Sequence, residues 1–350
     1  MKKIIMGIMT LLLLSGCGKV TEKNIIQEFS NKLAKTKSYE IDGKMQIISN
    51  EETFSYAINV NYLKDNYYKV VLLNESNNHE QIILRNDEGV FVVTPALNKS
   101  FKFQSEWPDN SSQAYILNSV LKDLASSKDV KYEKTNDGYI LTTKVNYPNN
   151  STLTYEKVYF DKGVNLKKVE VYNNNDSVCI SVVVDKINYK AGLSEEDFYL
   201  DNFINEECCL AEETDCMNPC PEQCEKDNCE KESSVLESAI YPLYVPEKSS
   251  LTSSEKIETD FGNRLILTFA GDNDFVLVEE ASKINDTMEI VPVYGDPQIM
   301  ASSVVALGAN SLYWTDQNVD FYLTSNTLSG EQMLNIASSM ANVEVVSQIK

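Results

Sequence analysis

The sequence predicts an α+β protein: an antiparallel sheet covered by helices, followed by a smaller α+β domain. Three observations carry this. Apolar residues alternate with period two along most of the chain, as in Phe54, Tyr56, Ile58, Val60 and Tyr62. Stretches near residues 21–38 and 111–128 switch to helical spacing. An acidic, cysteine-rich segment at residues 205–234 interrupts the pattern before strands resume.

The chain opens MKKIIMGIMTLLLLSGC. Lys2 and Lys3 form a basic start, and Ile4–Leu14 is an apolar run too short for a comfortable membrane span. Small residues then lead into Cys17. This is a signal-peptide layout, so residues 1–16 are set aside from the fold. The L-S-G-C run resembles a bacterial lipobox, in which the cysteine is lipidated and becomes the first mature residue. Cys17 is therefore the expected attachment site of a diacylglyceryl anchor. Each buried CH2 of such an anchor contributes roughly 0.8 kcal/mol. The expected location is extracytoplasmic, tethered to the cell membrane.

Residues 21–38 read as an amphipathic helix with Ile25, Ile26, Phe29 and Leu33 on one face and Thr21 as cap. Short alternating strands follow through SFKFQ, separated by turns such as RNDEG. Residues 111–128 return to helical spacing at Ile116, Leu117, Val120, Leu121 and Leu124, with Ser112 as the candidate cap. This helix is expected to cover the sheet. Further strands run from VKYEK to VCISVVVDKINY, and LSEEDFYL closes the domain as a short helix or turn. Beyond residue 235, RLILTFA, DFVLVEEA, MEIVPVYG, ASSVVALG and NSLYWTDQNVDFYLTS read as strands. A last helix begins at the S-x-x-Q capping box of Ser329 and Gln332. The expected domains are 17–204, a linker 205–234, and 235–350.

Charge and motifs narrow the function. Fifty-two acidic residues against 31 basic ones give a net charge of −21, which repels nucleic acid. His79 is the only histidine, which removes histidine triads and two-histidine metal sites. It lies in a polar turn and reads as a surface residue. No phosphate-binding or nucleophile-elbow motif appears. Acidic pairs such as Glu51/Glu52, Glu195/Glu196 and Glu279/Glu280 read as surface charge. No enzyme activity and no cofactor are expected.

Cys208, Cys209, Cys216, Cys220, Cys224 and Cys229 crowd the linker. They lack the paired C-x2-C knuckles of zinc ribbons. Outside the cytoplasm an even count favours disulfides, in any of fifteen pairings. Metal binding, and reduced thiols in an anaerobe, stay open. Cys179 lies in a strand and reads as a small buried hydrophobe.

The block QIILRNDEGVFVVTPALNKSFKFQS, with the WP and NSSQAY that follow, resembles the YdcC-type sporulation lipoproteins, a LolA-like family of lipoprotein carriers. LYVPE, LTFAGDNDFVLVEE and LSGEQMLNIASSM extend the resemblance into the C-terminal part. That part is similar to a small α+β domain of extracytoplasmic regulators. The resemblance implies an incomplete antiparallel barrel with helices on its apolar concave face. It also implies a role in sporulation or spore-envelope assembly on the forespore or mother-cell membrane. Two modes of action follow from it. The concave face could hold an acyl chain, a lipoprotein or a partner's apolar segment, with Phe54, Tyr56, Ile58, Val60, Val70, Leu72, Phe101 and Phe103 as its lining; the same residues could instead pack on the covering helices. Alternatively, the protein is a regulatory partner, as the germination lipoprotein GerS is for the cell-wall amidase CwlD, or an envelope sensor of the RseB type. The cysteine-rich linker is a departure from the family pattern.

Overall fold

The computed structural model describes residues 20–49, 52–204, 236–259, 262–285 and 287–340. The first helix, α1 (Glu22–Ala34), is fixed at its start by a capping box. The Thr21 hydroxyl accepts from the Asn24 backbone, and the Asn24 side chain accepts from the Thr21 N–H. Ile25, Phe29 and Leu33 form its buried stripe.

Six antiparallel strands follow as a meander: β1 (Ser38–Ser49), β2 (Glu52–Leu63), β3 (Tyr67–Asn74), β4 (Glu80–Asn86), β5 (Gly89–Thr94) and β6 (Lys99–Phe103). Asp65 and Asn66, both at φ 74°, make the tight β2–β3 turn, a conformation that Asn and Asp tolerate. Helix α2 (Leu117–Ser126) comes next, then a second meander. It comprises β7 (Lys131–Lys134), β8 (Gly138–Lys144), β9 (Leu153–Asp161), β10 (Leu166–Asn173) and β11 (Val178–Asn188). Strand β11 pairs with β1, which joins the two meanders back to back. The register shifts opposite Asp42/Gly43, where Asp185 is the extra residue of a bulge in β11, and a Cβ on Gly43 would lie 2.3 Å from the Val183 carbonyl oxygen.

This order leaves β6 and β7 far apart, near opposite edges of one sheet. The chain between them must cross the whole sheet, and it carries α2 over the concave face. The expected helix start moves as a result. Residues 111–116 are an irregular strap with a turn at Ala114–Tyr115, and Ile116 rather than Ser112 precedes the first turn of α2. Ser112 is spent elsewhere: its backbone N–H donates to Asn146 O, and its hydroxyl accepts from Asn146 N, each at 2.8 Å.

The convex side is covered in part by two 3-10 turns, Glu195–Phe198 and Leu200–Phe203. Phe198 and Leu200 pack there on Tyr67, Ile82, Leu84, Phe91 and Val93. That is why β4 and β5 are apolar on both faces.

The C-terminal part forms β12 (Ser249–Thr259), β13 (Gly262–Gly271), β14 (Phe275–Ala281), β15 (Glu289–Val293), β16 (Gly295–Ile299), β17 (Val304–Gly308), β18 (Ser311–Asp316), β19 (Val319–Thr324) and α3 (Gly330–Ser338). Seven of these strands make a second antiparallel sheet in the order β12-β13-β14-β19-β18-β17-β16. Gln317 and Asn318, at φ 47° and 61°, form the expected turn between Trp314 and Phe321. Helix α3 carries the expected Ser329/Gln332 capping box and buries Met333, Ile336 and Ala337 against this sheet.

Strand β15 leaves its neighbours. It pairs in parallel with β6, Glu289 opposite Lys99 and Val293 opposite Phe103, and becomes the twelfth strand of the first sheet. The edge of that meander is thus closed by a strand from the C-terminal part. Pro292 suits the edge position because it has no N–H to offer.

Candidate functional site

The concave face gathers the residues expected to line a ligand site. Cross-strand pairs set Ile58 opposite Leu72 and Val60 opposite Val70. Phe101 and Phe103 reach the same core from β6. Tyr56, Ile58, Val60, Val70, Leu72, Phe101 and Phe103 are all buried, none more than 7% exposed. Phe54 is half-buried near the mouth of the face and touches both the first core and the C-terminal core.

What covers these residues is the protein itself. Helix α1 contributes Phe29, whose ring stands edge-on to Phe160 at 5.1 Å. Helix α2 contributes Leu117, Val120 and Leu124. The segment between β6 and the strap places Trp107 edge-on to Tyr68 at 6.0 Å. Residues of β15 and β17, Val293 and Val304, close the far side of the same core.

One part of this interior is polar. Glu156 on β9 is fully buried, and neither of its carboxylate oxygens has a hydrogen-bond partner among the described residues. Burial, then the nearby Asp123 charge, pushes its pKa well above the usual carboxylate range. Asp123 at the end of α2 is pushed up to about 6 by burial, against the opposing pull of the Ser112 hydroxyl. These carboxyls are shielded from solvent, and their surroundings favour the neutral acid.

The other acidic pairs separate in the fold. Glu279 and Glu280 are neighbours on β14 and so point to opposite faces. Glu280 pairs with Arg264, while Glu279 is buried and accepts the Ile240 N–H at 2.9 Å. Burial lifts Glu279 to about 7, and the Ile240 hydrogen bond pulls the other way. Glu195 and Glu196 are exposed, and Glu51 lies outside the described residues. His79 is half-buried rather than a plain surface residue, because the Asn74–His79 turn folds its Nε2 out of solvent; burial lowers its pKa. Cys179 is half-buried and has no disulfide partner among the described residues, and burial raises its pKa. Cys17, Cys208, Cys209, Cys216, Cys220, Cys224 and Cys229 lie outside the described residues. Among the described residues, no cluster of three metal-ligating side chains forms.

The seam between the two sheets was not legible in the sequence. The Tyr56 hydroxyl donates to Ala301 O at 2.8 Å, and Asn74 Nδ2 donates to Ser302 O at 3.3 Å. Lys99 forms an ion pair with Asp320 at 2.7 Å. Asp296 accepts from Asn110 Nδ2 at 2.7 Å and also from the Ser105 hydroxyl. A cavity of about 610 Å3 opens beside these contacts, lined by residues 52–55, 74–77, Ser302, Asp316 and Gln317. A second cavity of about 680 Å3 lies at the end of α1, where Lys35, Lys37 and Lys64 face Glu195 and Glu196.

A family model described as sporulation protein YdcC-like matches residues 1–198. The sporulation protein YdcC of Bacillus subtilis (strain 168) is 31% identical over 338 residues, spanning 96% of this chain and 95% of that protein. Among solved structures, the MucA/MucB complex of Pseudomonas aeruginosa aligns at 12% identity over 90% of this chain and 97% of the other, with a TM-score of 0.30. A LolA superfamily protein from Nitrosomonas europaea aligns at 10% identity over 52% and 99%, with a TM-score of 0.31. The CwlD amidase of Clostridioides difficile in complex with the GerS lipoprotein aligns at 13% identity over 49% and 98%, with a TM-score of 0.24. At TM-scores this low, the architecture rests on the strand order itself.

Proposed function

The chain belongs to the YdcC-like family of sporulation proteins, and from that premise we propose that it is a lipid-anchored extracytoplasmic binding protein that engages an envelope protein and performs no reaction of its own. The observation that carries this is the filled concave face. Seven of the eight apolar residues that could line a ligand site are buried under α1, α2, the strap and the strands of the C-terminal part. An acyl chain could enter only by displacing a helix. Binding through the outer surfaces needs no such rearrangement.

The anchor supports the same reading. Among the described residues no helix is long and apolar enough to cross a membrane, and the L-S-G-C run ends at Cys17. Lipidation there would hold an acidic protein at an anionic surface that its own charge disfavours. The test is affinity capture from sporulating cells with the anchor retained, beside a Cys17→Ser control. Expected are palmitate labelling that is lost in the control and co-purification of one stoichiometric envelope protein. A chain that is never acylated, or that captures nothing above the control, overturns the proposal. A cell-wall amidase is the partner to test first, on the resemblance to the GerS type; loss of muramic lactam from cortex peptidoglycan on gene deletion supports it.

Lipid carriage is the second reading, favoured by the apolar character of the whole concave face. Native mass spectrometry of the chain without its anchor separates the two. A bound lipid or exchange with labelled lipopeptide supports carriage, and a protein that stays free of lipid supports the partner reading.

A further inference from the structure

Two carboxyl groups meet where α2 rests on the sheet. Glu156 projects from β9 to the concave face, with Thr143 on β8 and Val171 on β10 directly opposite it. It is 0% exposed, and neither oxygen has a hydrogen-bond partner among the described residues. Asp123 comes down onto this place from α2. The Thr143 hydroxyl donates to the Asp123 backbone carbonyl at 3.2 Å, while Asp123 Oδ2 is buried and also without a partner among the described residues. Burying these oxygens costs free energy and returns no bond, so packing alone does not account for the pair.

The neighbouring groups do not compensate it. Tyr147, which follows β8, lies near Glu156 and Asp123, and Tyr115 of the strap lies near Tyr147. Burial pushes both hydroxyls well above the usual tyrosine range, so they stay neutral. Lys122, the residue before Asp123 on α2, acts on Asp123 but is exposed. On β9 itself, Tyr155 and Lys157 point to the opposite face. Asp123 is therefore the charge that Glu156 meets among the described residues.

Covered, Glu156 is a neutral acid; wetted, it is an ordinary carboxyl that ionises. Burial, then the Asp123 charge, holds its folded-state pKa well above 4.5, and burial lifts Asp123 to about 6. Groups raised in this way stabilise the covered arrangement fully in acid and lose that contribution as pH rises through their raised values. Ionised Asp123 adds a second penalty, because it sits in the last turn of α2, where the free carbonyls oppose a negative charge. The helix is also easy to detach. It has ten residues and no side-chain cap at its start, so little besides tertiary packing maintains it. The strap before it is pinned by the two Ser112–Asn146 bonds, which gives it a fixed end to swing from. We propose that α2 is a proton-controlled cover, closed over the apolar face in acid and released as pH rises. Release exposes Leu117, Val120 and Leu124 together with the sheet beneath them, so the same protons govern access to the concave face whatever the protein captures.

The test is amide hydrogen exchange of the purified full chain in detergent, read by mass spectrometry from pH 5 to pH 8. Protection is taken as the intrinsic rate over the measured rate, which removes the base catalysis of exchange itself. One proton released on opening raises the opening constant about tenfold per pH unit. Expected is a fall of that size in the protection of residues 117–126, whose amides exchange well before those of β2 and β3. Glu156→Gln keeps the shape and cannot ionise, so its protection should level off above about pH 6, where Asp123 is already charged. Asp123→Asn should keep the slope above pH 6, because burial still holds Glu156 neutral. Slopes are compared within each variant, so a loss of overall stability does not obscure the result. Four outcomes overturn the assignment: protection of α2 that is flat with pH in the parent, an equal slope in Glu156→Gln, a slope lost in Asp123→Asn, or α2 amides no faster than those of β2 and β3. None of these bears on capture of an envelope protein, so the two proposals fail separately.

Discussion

Gln81 and Val304 are joined by two hydrogen bonds across 223 residues of chain. The Val304 N–H donates to Gln81 Oε1 at 2.6 Å, and Gln81 Nε2 donates to Val304 O at 3.3 Å. Both residues are buried, so one amide side chain stands in for a strand partner where the two sheets meet. Gln81→Ala leaves a buried N–H and a buried carbonyl without partners. The expected cost is about 1–3 kcal/mol. It should appear as a lower Tm and as faster proteolysis between the two parts. Gln81→Glu keeps the acceptor for the N–H but, once ionised, sets a buried charge against the Val304 carbonyl, and should cost at least as much as the alanine variant at neutral pH.

Glu279 should make stability depend on pH. Its folded-state pKa is about 7, raised from 4.5 by burial. A carboxyl shifted upward binds its proton more tightly in the folded state than in the unfolded one. Its contribution is complete below about pH 4.5, declines as pH rises through about 7, and is flat above that. Glu279→Gln keeps an acceptor for the Ile240 N–H and cannot ionise. The Tm difference between variant and parent should therefore grow in the variant's favour from pH 5 to pH 8. Comparing the pair cancels Asp123 and Glu156, which push the parent and the variant alike. A difference that does not change with pH would place the ionisable group elsewhere.

The capping box of α3 is a local test. Ser329 accepts from the Gln332 N–H at 3.2 Å, and Gln332 Oε1 accepts from the Ser329 N–H at 2.9 Å. Ser329→Ala removes one arm, at a cost of about 1 kcal/mol. Amide exchange in the first turn of α3 should speed up, while the first sheet should be unaffected.

How far the sequence could be read follows from the kind of signal each element leaves. Helices α1 and α3 were legible because their caps and apolar stripes are local. Most strands were legible from alternation. Strand β12 was not: Ser249–Thr259 is almost wholly exposed and polar, so it has no buried face to alternate. Strand β15 was seen as a strand, but its pairing with β6 was not, since a parallel match nearly two hundred residues away leaves no mark in either segment. The α2 start was placed too early because Ser112 serves the strap, a tertiary contact that resembles a cap in sequence. The seam cavity was illegible for the same reason as β15: its wall exists only once three distant stretches meet.

Whether the concave face is a packed core or a ligand chamber can be decided at Phe29. Its side chain is fully buried between α1 and β9, against Phe160. Phe29→Ala removes a ring from close-packed surroundings, and the expected loss is about 3–5 kcal/mol. The void it leaves is apolar, and such voids stay dry and take up apolar molecules. If the face is filled in the native protein, the parent should not bind dodecanoate, and the variant should acquire binding while losing stability. If the face is a working chamber, the parent should bind dodecanoate stoichiometrically, and the variant should add little. The two outcomes differ in the parent protein alone, so the experiment separates partner binding from lipid carriage even if Phe29→Ala proves too unstable to study. Phe29→Leu, which leaves a smaller void, should then show a weaker version of the acquired binding under the first reading and no change under the second.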